Sequence, residues 1–101
     1  MVRHIVAWNY KEGFSDSENK ENAEKIKSEL EALPRLIDGI IEMKVYIYSD
    51  LLSSGNRNIV LNSLFKNEEA LAAYIIHPEH KRAGEFVRSV TQDRASVDYI
   101  E

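Results

Sequence analysis

The stretch VRHIVAWNY, residues 2–10, sets the pattern from which the fold can be predicted. Its side chains alternate between two faces, a period of two residues that is typical of a strand with one face against a core. The bulkier face contains a histidine, which is unusual among core-facing side chains. We predict a first strand here, with Val2, His4, Val6 and Trp8 on one face and Arg3, Ile5, Ala7 and Asn9 on the other.

Helix ends are the next signals along the chain. Ser15-Asp-Ser-Glu18 is a capping box, in which the serine hydroxyl and the glutamate carboxylate each bond an otherwise unpaired amide. The helix that begins there has apolar residues at three- and four-residue steps, and Pro34 prevents it from continuing. Asn67 predicts the start of a second, short helix, and Pro78 the start of another.

Three further strands are predicted at residues 41–48, 59–65 and 95–100, with a turn-rich loop over residues 49–57. The order of elements is β-α-β-β-α-β, and its second helical region is interrupted at His77-Pro78. This order is typical of a ferredoxin-like α+β fold, an antiparallel sheet with helices on one face.

Helices on one side leave the other face of this sheet uncovered. Its side chains are too apolar for open water, and a second copy of the chain is the simplest cover. We therefore predict a homodimer in which two sheets close into an α/β barrel. The uncovered side chains are Ile5, Ala7, Val60, Leu64, Val97 and Tyr99.

Composition narrows the class of protein. A chain of 101 residues is expected to form one domain, residues 1–101. Its lack of cysteine excludes disulfides and thiolate zinc sites, and its net charge of -4 argues against a nucleic-acid partner. The N-terminal residues resemble a strand more than a secretory signal, and the composition is not that of a membrane protein. We expect a cytoplasmic protein.

The candidate site centres on Tyr74-Ile-Ile-His-Pro-Glu-His80, at the helix break. Imidazole titrates near neutral pH, so His80 can take and return a proton, and the Tyr74 phenol can donate to a developing oxyanion. In a ferredoxin-like sheet the last strand lies beside the first. Asp98 is therefore expected near His4, where it can orient an imidazole.

Structural roles are open for the same residues. His77 can be a loop residue that bonds a helix end, His4 a strand histidine satisfied by a neighbour, and Tyr74 a core side chain. The His77-x-x-His80 spacing is also compatible with a metal site, but the helix break separates the two rings and no carboxylate ligand is evident. We predict neither a metal nor a cofactor.

Taken together, several stretches resemble the stress-responsive α/β-barrel (Dabb) family. The most specific part of this resemblance is the Tyr-x-x-His-Pro-x-His box, residues 74–80, combined with the histidine of the first strand. The resemblance implies a ferredoxin-like protomer and a homodimer closed as a β-barrel. It extends over Arg3-His-Ile-Val, Phe65, the helix ending at Tyr74, the box itself and Val97-Asp-Tyr99.

One plant branch of that family, similar to olivetolic acid cyclase, cyclises a linear polyketide by an aldol reaction without a cofactor. The resemblance implies a different substrate here, because that branch has bulkier aromatic residues where this chain has Ile26, Ala83 and Thr91. Its working residues fall on His4, Tyr74, His80 and Asp98 of this chain.

Three functions are compatible with these residues. The first is a homodimer that binds a small molecule in the cleft between sheet and helices. The second is a cofactor-independent lyase or cyclase, with His80 as base, Asp98 fixing the tautomer of that imidazole, and Tyr74 and His4 binding the substrate oxygen. The third is a cofactor-free monooxygenase, an activity of related dimeric barrels that no residue here singles out.

Overall fold

The structure, a computed structural model, describes residues 1–52 and 55–101. Its elements are β1 (Val2–Tyr10), α1 (Asp16–Glu31), a 3-10 helix (Leu33–Arg35), β2 (Ile40–Tyr46), β3 (Ile59–Phe65), α2 (Glu68–Ile76), α3 (Pro78–Val90) and β4 (Thr91–Ile100). The strands form one antiparallel sheet in the order β2-β3-β1-β4. The ferredoxin-like α+β fold is thus confirmed. Of the predicted loop 49–57, Ser53 and Ser54 lie outside the described residues.

The predicted helix starts are confirmed by their hydrogen bonds. Ser15 and Glu18 form the reciprocal capping box ahead of α1, and the Asn67 side chain caps α2. The His77 imidazole accepts the amide of Glu79 at 3.1 Å and so caps α3. In the described part of the chain, no helix combines the length and the apolar character that crossing a membrane requires.

The helices pack on one face of the sheet. The even-numbered side chains of β1 up to Trp8 are buried there, so the predicted core face of this strand is confirmed. Phe65 of β3 and Ile26 of α1 are among the most completely buried side chains of this core. The sheet therefore presents one alternating row of side chains, including His4, to the underside of the helices.

Two strand boundaries differ from the prediction. β4 begins at Thr91 and not at Ala95, because it leaves α3 directly and pairs with the end of β1 before the register shifts. Asp93, with φ of +56°, lies in this irregular stretch, which interrupts the alternation that marks a strand. β2 ends at Tyr46, because the amide of Asp50 bonds back to Ile47 in a turn.

In the part of the chain that the structure describes, no helix covers the opposite face of the sheet. Val97 and Tyr99 of β4 are 59 % and 45 % exposed, and Ile5 and Val60 are half-buried. At one edge Arg3 bonds Glu42, Asn62 and Glu101 across this face. The predicted apolar outer face is therefore present, and we call it the outer sheet face.

Gly39 is a position where an added methyl group should strongly destabilise the protein. Its φ is +90°, and a Cβ there would lie 2.6 Å from the Cβ of Ala70. We expect Gly39→Ala to lower the free energy of unfolding by roughly 2–5 kcal/mol, from backbone strain plus overlap. Gly13→Ala is the control, because Gly13 has φ of +104° but no atom near its Cβ position. If urea denaturation showed that the two variants lose equal free energy of unfolding, the overlap with Ala70 would not contribute.

Candidate functional site

A cleft of about 260 Å³ lies between the sheet and the helices. Strands supply its apolar floor and α3 supplies one side, so apolar and basic side chains meet in one space. Three of the four predicted site residues line it, and the fourth, Asp98, contacts it through His4. The lining residues are His4, Val6, Trp8, Leu30, Leu61, Tyr74, His80, Gly84, Val87, Arg88 and Arg94.

His4 and Asp98 form a pair across the sheet. The register of β1 and β4 places them directly opposite each other, and His4 Nδ1 lies 2.5 Å from Asp98 Oδ1. His4 is only 6 % exposed, so the carboxylate satisfies a buried ring and fixes its Nδ1–H tautomer. The predicted proximity is confirmed. The predicted role is corrected: Asp98 orients His4 and not His80.

His80 is oriented by the backbone. Its Nδ1 lies 3.1 Å from the carbonyl oxygen of Ile75, which can only accept, so Nδ1 carries the proton. Burial lowers the pKa of His80 below its ordinary value, and the nearby His4, Arg88 and Arg94 lower it further, although the bond to Ile75 opposes the shift. The neutral ring is therefore favoured at neutral pH. Its Nε2 has a free lone pair, as a general base requires.

The Tyr74 ring lies near the rings of both His4 and His80. Its ring centroid lies 4.2 Å from that of His80 and 6.3 Å from that of His4, and it also packs on Phe65. Tyr74 is 1 % exposed and belongs to the hydrophobic core, so its predicted structural role is real and coexists with its place in the cleft. Burial raises the pKa of this phenol, which keeps it protonated and able to donate.

His77 does not join this group. Its ring is occupied as the cap of α3, which confirms the structural interpretation of this residue. Among residues 1–52 and 55–101, no three His, Asp or Glu side chains are grouped as metal ligands would be. Ile26, Ala83 and Thr91, the departures from the cyclase branch, do not line the cleft.

Arg88, Arg94 and Trp8 line the cleft, but the sequence interpretation had assigned them no part in the site. One signal was available: Arg88 follows His80 by eight residues, or two helical steps of four, which places both on the same face of α3. Arg94 lies two residues before Ser96 and four before Asp98, on the same face of β4, but the predicted strand began only at Ala95.

The model of the stress-responsive A/B barrel domain family matches residues 2–101. A dimeric protein of unknown function and ferredoxin-like fold from Bacteroides fragilis is 32 % identical, with a TM-score of 0.87 over 97 % of this chain and 93 % of that one. A dimeric ferredoxin-like protein of unknown function from Thermobifida fusca is 23 % identical, with a TM-score of 0.82 over 99 % and 90 %.

A third solved structure is the hydroxynitrile lyase from Passiflora edulis. It is 16 % identical, with a TM-score of 0.78 over 99 % of this chain and 92 % of that one. At this identity the likeness shows a shared fold alone. No curated protein is significantly similar to the chain.

Proposed function

This chain belongs to the stress-responsive A/B barrel domain family, and we propose that it is a homodimer that binds a small, largely apolar molecule in the cleft between its sheet and helices. The observation that carries the proposal is the cleft itself. Five apolar side chains line it beside Tyr74, His4 and His80. Few, convergent polar groups in an apolar cleft are typical of ligand sites.

The homodimer is supported by the outer sheet face and by relatives. Apolar side chains at the centre of an uncovered sheet favour association with a like surface, which a two-fold axis provides. The Bacteroides fragilis and Thermobifida fusca proteins are both described as dimeric. In this arrangement the outer faces of two sheets would meet, and each cleft would remain on the helical side.

Trp8 offers a direct test of the cleft. It is the single tryptophan of the chain and lines the cleft, so its fluorescence should change saturably when 1-octanol is titrated into the protein. Gly84→Leu, which places a branched side chain at the lining, should weaken this response about tenfold or more. Ser89→Leu adds the same side chain at an exposed position of α3 outside the cleft and should change nothing. A linear, non-saturating response in the unmodified protein would contradict ligand binding in the cleft.

A second function, proton transfer next to a carbonyl, is favoured by the fixed tautomer of His80. In this reaction His80 Nε2 removes the proton, the electron pair of the broken C–H bond forms a C=C bond, and the carbonyl π pair moves to the oxygen. The Tyr74 hydroxyl then donates to this enolate oxygen, beside the His4 ring that Asp98 orients. No cofactor is needed for this step. The lyase from Passiflora edulis shares the fold.

A further inference from the structure

Two arginines, Arg88 and Arg94, line the cleft. Within residues 1–52 and 55–101, neither Arg88 nor Arg94 forms an ion pair, and Arg94 bonds only the Ser96 hydroxyl, at 3.3 Å. Arg3 and Arg82, by contrast, are each held by carboxylates. In a protein of net charge -4, two unpaired guanidinium groups beside one cavity are a local excess of the opposite sign.

Arg88 and Arg94 come from different elements but line the same cleft. A Cβ at Gly84 would lie 3.1 Å from Arg88 Nη1, so the guanidinium lies back over the preceding turn, towards His80. Arg94 comes from β4, next to the positive-φ residue Asp93. Both guanidinium groups lower the pKa of His80, because their positive charges disfavour a protonated ring.

We propose that the ligand of the cleft is an amphipathic carboxylate, with its apolar chain on the floor of the cleft and its charged group at Arg88 and Arg94. The guanidinium fork bonds a carboxylate through two parallel N–H groups, which suits a planar anion. The apolar floor suits an alkyl or aryl body, and about 260 Å³ suits a small one. This inference rests on the proposed function, because it names the class of molecule that the cleft binds.

Octanoate and 1-octanol have the same eight-carbon skeleton, but only octanoate is charged. Comparing their affinities therefore measures the contribution of the carboxylate. In low salt, titrations followed by Trp8 fluorescence should show octanoate binding about tenfold or more tightly than octanol. Arg88→Gln with Arg94→Gln should remove this preference, so that octanoate binds no more tightly than 1-octanol. Lys81→Gln, an exposed cation of α3 outside the cleft, should preserve it. Added salt should weaken octanoate binding alone.

The outcomes distinguish the two proposals. Equal affinities for octanoate and octanol would overturn the proposal that the ligand is a carboxylate, but not the proposal that the cleft binds an apolar molecule. A preference that survives the double arginine variant would also overturn it, because the charge would then be recognised elsewhere. Saturable binding of neither probe would overturn the proposed function itself. Thermal unfolding of each variant, followed by circular dichroism, shows whether a loss of binding reflects a loss of fold.

Discussion

Val97→Asp should convert the dimer into a monomer of half the mass. Val97 lies opposite Ile5 on the outer sheet face and is 59 % exposed in a single chain. In the proposed dimer it is buried against the partner, where an unpaired carboxylate costs several kcal/mol. Each interface would contain two such charges, so the dissociation constant should rise by about 100-fold or more. Size exclusion with light scattering at micromolar protein measures the change.

Ile76→Asp is the matched control. Ile76 is 68 % exposed, more than Val97, but it ends α2 on the helical side of the sheet. The same new charge there should leave the dimer intact. If the unmodified protein is a monomer, or if Ile76→Asp dissociates it and Val97→Asp does not, the outer sheet face is not the interface.

The fold could be predicted because its local signals agree with one another. The alternation of β1 fixes which side chains face the core, and the capping box at Ser15 and the cap at Asn67 place two helix starts. The break at His77 also followed from sequence, because a proline next to it cannot continue α2. Each of these signals acts within a few residues, so tertiary structure did not override it.

The site was only partly predictable, for a related reason. Strand order was enough to place Asp98 beside His4, but it could not show that His80 is held instead by the carbonyl of Ile75. That bond depends on how α3 turns after the break. Arg94 was missed because the predicted strand began at Ala95, since the irregular backbone at Asp93 hid the fact that β4 extends back to Thr91. Contacts set by irregular backbone are those that sequence periodicity leaves open.

His80→Gln should slow proton exchange on a bound ketone by about 100-fold or more, the usual contribution of a positioned general base. The measurement is the exchange of the α-protons of 2-octanone for deuterium in D₂O, followed by NMR. His77→Asn is the control, because it replaces the other histidine of the same box with a residue that caps helices well. It should leave the exchange rate unchanged.

The pH profile of this exchange provides a second readout. Only neutral His80 can accept a proton, so the rate should be constant above the pKa of His80 and fall as the pH drops through it. Because that pKa is lowered, the midpoint of the fall should lie below the ordinary value of 6.5. Arg88→Gln removes one of the charges that lower it, so the fall should move to higher pH. Exchange that continues at the same rate in His80→Gln, or a rate that does not fall at low pH in the unmodified protein, would assign the proton transfer to another group.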